Sequence, residues 1–393
     1  MQYFHYLTDF QREGLFYQTP YSFTKDSPKE FLELALGAVL YMPATRTDLE
    51  SLLIEKKYEE LASLVICLED AVSDFEVAEA EDNAVKRIRM VYDSVKRGKV
   101  SIEELPLIFI RVRSPQQMMR LFPRLEESIK IVAGCVFPKF SQANCQEYLD
   151  NLKAIQRETG AGLYGMPIFE APEILYKESR LDSLLTIRQT LSAYQEDILN
   201  IRIGATDFCG LYGIRRDCYT SIYDVSLIRD VITDIVNLFG RDYVISGPVW
   251  EYFDSKERLF KPQLRRTPFR QAYGERGLEV RSQLLDNNLD GLIQETYLDL
   301  ANGLHGKTII HPTHIKPVQA MHVVTYEEFI DASMIMNQAE GNNGVFKSEY
   351  GNKMNETKPH FKWAQKTIRK SKIYGVFHEN HKYIDLLTEP IKI

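Results

Sequence analysis

Eight short apolar runs, each ending on a polar, charged or turn-forming residue, constrain the fold of this 393-residue chain more than any other feature. They are Gly37–Pro43, Leu64–Asp70, Leu107–Arg111, Gly134–Lys139, Leu163–Glu170, Ile201–Asp207, Tyr243–Pro248 and Thr308–His311. Strands buried on both faces read as unbroken aliphatic and β-branched runs, and parallel strands need a crossover between them. Helix-like stretches at Asp48–Ala62, Glu76–Gly98, Gln116–Val132, Asn144–Glu158, Asp224–Phe239 and Gly277–Gly303 supply such crossovers. The pattern predicts an α/β fold, a TIM (β/α)8 barrel. The C-terminal strand ends of such a barrel converge on one face. Glu69, Asp70, Arg111, Lys139, Glu170, Asp207 and His311 are therefore expected to share one pocket, with Arg46 reaching it from the loop after the first run.

About 250 residues suffice for a barrel of this kind, so the chain has room for additions. Residues 1–36 read as an N-terminal arm, 37–337 as the barrel, and 338–393 as a linker rich in Gly and Asn over Gly341–Lys353 followed by a C-terminal helical extension around His360–Tyr374. An insertion at 254–276 sets seven basic residues against Asp254, Glu257 and Glu275. It falls on a βα loop, the side where barrels bind substrates. Its Arg265, Arg266 and Arg270 are candidates to clamp a phosphate or carboxylate, because guanidinium forks match those groups bidentately.

A net charge of −7 argues against nucleic acid as a partner, since phosphate binding needs a concentrated basic surface. The five cysteines form no CxxC pair and lie in or beside apolar runs, as reduced, buried thiols do. The first residues lack the basic-then-apolar pattern of a signal peptide. No run approaches the roughly 20 apolar residues of a membrane span. A soluble, cytoplasmic protein acting on a small molecule is the expectation.

Two carboxylates at adjacent strand ends, Glu170 and Asp207, are the ligands a hard divalent cation prefers. Mg2+, or Mn2+ in its place, is usually held by one or two protein carboxylates plus water and substrate. Glu69 and Asp70 are placed to hydrogen-bond the metal's waters, while Arg111 and Arg46 bring positive charge to face the site. Such a mouth suits making or breaking a carbon–carbon bond beside a carbonyl, where developing enolate charge must be stabilised. Lys139 invites a Schiff base, but so many carboxylates would keep its amine protonated. His311 and His314 fit the rim better than a Mg2+ site, which does not favour imidazole. No GxxxxGK[ST] or helix-opening GxGxxG occurs, so ATP or dinucleotide use is not indicated. Two other readings are a related enzyme that grips a phosphorylated or nucleotide-like 2-oxo acid through Arg265, Arg266 and Arg270, and a barrel that has lost catalysis and serves as a scaffold.

The same residues resemble a known family, the HpcH/HpaI aldolases and citrate lyase β-subunit (CitE-like) enzymes. The matching pieces are Tyr41-Met42-Pro43-Ala44-Thr45-Arg46, Cys67-Leu68-Glu69-Asp70-Ala71-Val72, Ile110-Arg111-Val112-Arg113, Phe137-Pro138-Lys139, Phe169-Glu170-Ala171, Gly204-Ala205-Thr206-Asp207 and Gly306-Lys307-Thr308-Ile309-Ile310-His311-Pro312. They run in family order over about residues 37–337. The resemblance implies that Glu170 and Asp207 bind Mg2+, that Arg111 contacts the substrate carbonyl, and that Glu69 and Asp70 support the metal's waters. It also implies aldol or Claisen chemistry, a coenzyme A thioester among the substrates, and a homo-oligomer, trimer or hexamer. Cys67, Arg113 and Ala171 depart from the family's usual Asp, Asn and Thr. With the arm and the insertion, they make the chain most similar to the CitE-like carbon–carbon bond lyases associated with tellurium-resistance gene clusters.

Overall fold

The computed structural model describes residues 1–253, 287–338 and 344–387. Within them the chain divides into two compact units, one of residues 23–253 and 287–315, the other of residues 2–22, 316–338 and 344–387.

The first unit is built on seven parallel strands: β1 (Ala38–Pro43), β2 (Ser63–Cys67), β3 (Leu107–Arg111), β4 (Val132–Phe137), β5 (Tyr164–Phe169), β6 (Arg202–Ile203) and β7 (Lys307–Ile309). Their order is β6-β5-β4-β3-β2-β1-β7. One row of paired residues runs Tyr41, Val65, Phe109, Gly134, Tyr164 across five strands. Gly134 is required in that row, because a Cβ there would lie 2.0 Å from the Tyr164 carbonyl oxygen. The seventh apolar run, expected as a strand, instead joins the two sheet edges by isolated bridges, Ile201 to Ile245 and Gly247 to Lys307. Pro248 cannot donate to a ladder, and a Cβ on Gly247 would meet Asp299 Oδ2 at 2.3 Å, so the run is too constrained to extend as regular strand.

Helices fill the crossovers and bury one stripe each. In Ser226–Phe239 the buried residues are Ile228, Val231, Ile232, Ile235 and Phe239, the spacing of a single helical face. The expected helix at 116–132 is shorter: Pro115–Leu121 is helical, and a 3-10 segment follows with Glu126 at φ 50°. Pro123 removes a donor that a continuing helix would need. Lys177–Ser192 is a helix that hydrophobic spacing did not announce, because Leu181 and Leu185 face solvent and blur its stripe. Of the stretch expected at 277–303, Asn287–Ala301 is helical and the residues before it lie outside those described.

The second unit joins the two ends of the chain. Strand Phe16–Gln18 pairs antiparallel with Val376–Phe377, and the rings of Phe16 and Phe377 stack at 5.7 Å. Helices Tyr326–Gln338 and Thr357–Tyr374 bury Ala332, Ile335 and Ala364 between them. The segment expected as a linker contains part of a hairpin, Val345–Lys347 paired with Met354–Glu356. Its Gly351, at φ 67°, is a turn residue rather than a sign of open chain. Asn355 donates to Asp331 at 2.8 Å, and Lys353 pairs with Glu327 and Asp331 at 2.7 Å each.

Candidate active site

The site begins with the end of β3. Arg111 Nη2 lies 2.8 Å from Glu69 Oε2, 3.1 Å from Asp70 Oδ2 and 3.0 Å from Glu170 Oε1. Arg111, Glu69 and Glu170 are buried, and half-exposed Asp70 faces the opening. Burial works against the guanidinium cation, but the charges of Glu170 and Glu69 hold it firmly protonated. The next strand end adds Lys139, whose Nζ pairs with Glu69 and lies 3.5 Å from Asp70 Oδ1. Burial would lower the pKa of this amine, but its bond to Glu69 and the charges of Asp70 and Asp207 raise it. Such an ammonium is a poor Schiff-base nucleophile. The Lys139 backbone is left-handed, φ 47°, and its N–H donates to Glu170 Oε1 at 2.9 Å. An αL conformation in a side chain of this size is costly and here aims an amide at the buried carboxylate.

Glu170, at the end of β5, lies against Gly204. A Cβ on that residue would fall 2.2 Å from Glu170 Oε2. Gly204 precedes the short helix Ala205–Leu211, whose first turn carries Asp207. Burial pushes the Glu170 carboxyl up to about 7; Arg111 opposes that shift and neighbouring Asp207 adds to it. Asp207 is raised as well, by burial and then by Asp70. Two carboxyls that resist ionising together are a donor set short of positive charge.

Asp70, Arg111, Glu170 and Asp207 line one cavity of about 460 Å³, together with Tyr41, Arg202, Thr206, Glu251 and Thr308. Arg46 does not line it; Asp48 holds it through bonds of 2.5 and 3.0 Å. His311 stacks on Phe253 at 4.5 Å and caps the 3-10 turn Pro312–His314, while His314 Nε2 bonds the Tyr252 carbonyl at 3.0 Å. Arg265, Arg266 and Arg270 lie outside the described residues.

The sequence matches the family described as C–C bond lyase of the TIM-barrel fold over residues 30–376. The chain belongs to that family. It is a carbon–carbon lyase with an α/β barrel, as the ordered motifs implied. No curated protein matches it. Among solved structures, CitE from Mycobacterium tuberculosis, in complex with magnesium, acetoacetate and coenzyme A, is 16% identical. The likeness covers 86% of this chain and 99% of that one, with a TM-score of 0.50. RipC from Yersinia pestis is 16% identical over 72% of this chain and 92% of its own, TM-score 0.42. A Haloferax volcanii malate synthase is 13% identical over 72% and 71%, TM-score 0.47.

Two residues of this lyase escaped the sequence reading. Arg113, one of its departures, sends Nε to the Leu68 carbonyl at 2.8 Å and Nη2 to that of Val72 at 2.5 Å, and it pairs with Asp74. It pins the loop that carries Glu69 and Asp70. Arg202 is buried inside the barrel on β6, where an arginine between two isoleucines was the available signal.

Among the described residues no group of three or more His, Cys, Asp or Glu side chains is arranged to hold a metal ion. The pair Glu170 and Asp207 nonetheless fits a hard cation that takes its remaining ligands from water and substrate. Its donors are oxygens only, and both carboxyls are raised in the cation's absence. None of the described helices is long and apolar enough to cross a membrane.

Proposed function

We propose that this lyase makes or breaks a carbon–carbon bond beside a carbonyl in a small carboxylate-bearing substrate, aided by Mg2+ held at Glu170 and Asp207. The observation that carries the reading is Arg111, buried at the cavity wall within 3.1 Å of Glu69, Asp70 and Glu170. When bound, the cation would supply Lewis-acid polarisation of the substrate carbonyl. The protein's own groups do the rest. Arg111, fixed by its carboxylates, presents a preorganised cation to the oxygen on which enolate charge develops. Glu69, tied to Lys139 and Arg111, keeps Asp70 beside it through the Asp70 N–H at 2.8 Å, so that a carboxylate faces the cavity opening to orient water or substrate. The CitE structure that shares this fold holds magnesium, acetoacetate and coenzyme A, which supports a metal and an oxo acid here, and a thioester as a further substrate to screen.

Calorimetric titration of Mg2+ with and without a 2-oxo acid such as pyruvate, oxaloacetate or glyoxylate tests the reading. Wild type is expected to bind metal and acid cooperatively, and Asp207→Ala to lose that coupling while remaining folded. Absence of Mg2+ binding in wild type would defeat it.

A further inference from the structure

Among the described residues of the barrel unit four arginines are buried: Arg111, Arg180, Arg202 and Arg216. Three are neutralised. Arg111 meets three carboxylates, Arg180 meets Asp230 and Asp234 at 2.9 and 2.8 Å, and Arg216 meets Glu251 at 3.0 Å as well as Glu295. Arg202, the most deeply buried, has no ion pair among the described residues. Its Nη2 donates to Thr308 Oγ1 at 2.5 Å, and its guanidinium lies 5.6 Å from the centre of the Tyr41 ring. Nε and Nη1 have no hydrogen-bond acceptor, although both are fully buried. Leaving an interior cation unpaired with unused donors is costly, so donors of this kind beside a cavity call for a partner that the chain's described side chains do not supply.

Arg202, Tyr41 and Thr308 all line the cavity that Arg111, Glu170 and Asp207 line at the strand ends. Arg202 precedes Gly204 on β6, Tyr41 sits within β1 and Thr308 within β7, so the three lie deeper in the barrel than that mouth. We propose that Arg202, flanked by the hydroxyls of Tyr41 and Thr308, is an anion subsite that receives a second carboxylate of the substrate, making a small dicarboxylic acid the preferred substrate class. The assignment rests on the reading of the mouth as the reacting end. With one end of the substrate held at Arg202, the carbonyl at the other is placed against Arg111, and a monocarboxylic acid would leave the guanidinium unmatched. A planar carboxylate suits this single guanidinium with its neutral hydroxyl neighbours better than a dianionic phosphate, which calls for more positive charge.

Succinate, with two carboxylates and no carbonyl, is the probe, titrated calorimetrically in EDTA so that no metal contributes. Wild type and Asp207→Asn are expected to bind it, and Arg202→Gln to bind at least about tenfold more weakly, the loss of a charged hydrogen bond. Acetate should show no such difference. Without ligand, Arg202→Gln is expected to melt at or above the wild-type temperature, since an uncompensated buried charge has been removed. Equal succinate affinity in wild type and Arg202→Gln, no succinate binding by wild type, or a lowered melting temperature for Arg202→Gln would each overturn the proposal, the last by assigning the arginine a structural role. Tighter binding of inorganic phosphate than of succinate would overturn the choice of a carboxylate. Succinate binding that depends on Arg202, in a protein that binds no Mg2+, would defeat the metal-lyase reading and leave the subsite standing.

Discussion

Gly204 shows how much of this site is decided by a missing side chain. Its α-carbon is held so close to Glu170 that a methyl group would overlap both Oε2 and Cβ, at 2.2 and 2.4 Å. Glu170 cannot move out of the way without disturbing the hydrogen bonds it accepts from Arg111 at 3.0 Å and from the Lys139 amide at 2.9 Å. Gly204→Ala is therefore expected to displace the carboxylate and weaken Mg2+ binding at least about tenfold, with a stability loss of about 1–3 kcal/mol from overpacking. Calorimetry and thermal unfolding read the two effects separately, and unchanged metal affinity would show that Glu170 is not a ligand. The charged strand-end residues were legible in the sequence because each interrupts an apolar run. Arg113 was not, since its task is to bond three loop carbonyls, and no pattern along the chain signals an arginine folded back on the preceding crossover.

Between elements, polar contacts lock the barrel's helices to one another. Glu81, buried on helix Val77–Lys96, accepts from Gln117 Nε2 at 2.9 Å and Arg120 Nη2 at 2.6 Å on helix Pro115–Leu121, with Arg124 at 3.6 Å. Burial would raise its pKa, but the bonds and charges of these partners hold it below the ordinary 4.5. A depressed carboxylate contributes stability that is fully present above the unfolded-state value and lost as pH falls through the folded one. Glu81→Gln should accordingly lower stability at neutral pH by about 1–2 kcal/mol, the arginines being partly exposed. It should also flatten the decline in melting temperature below pH 4.5; a variant whose acid slope matches wild type would show that Glu81 is not the titrating group. Helix and strand positions followed from periodicity where one face is buried, as in Ser226–Phe239. They did not where exposed leucines mask the stripe, as in Lys177–Ser192, or where a glycine is pressed against a carboxylate, as at Gly247 and Asp299.

At the level of the molecule, the N-terminal residues belong to the same unit as the C-terminal ones. Tyr3 packs on Tyr374 with ring centres 4.5 Å apart, Gln18 Nε2 donates to the Ser371 carbonyl at 3.0 Å, and Tyr21 N–H to that of Lys372 at 2.7 Å. Deleting residues 2–22 would strip Val376–Phe377 of its strand partner and expose the Tyr374 and Phe377 rings. Limited proteolysis is expected to cut such a variant within 316–387 under conditions that spare the full chain; equal resistance would show that the C-terminal helices fold without the arm.

The amino-acid sequence by itself determined the barrel and the mouth. Apolar runs long enough for doubly buried strands, with crossovers between them, allow few other solutions, and a parallel barrel brings its C-terminal strand ends to one face. The tertiary structure alone decided which charges meet a partner. Arg46 turns to Asp48 in its own loop, and Arg111 gathers three carboxylates from two other strand ends. Arg202, on a strand beside theirs, is left with donors and no anion. Pairing of buried charges depends on distances of a few ångströms between segments tens of residues apart in the chain, and that is information only the folded chain contains.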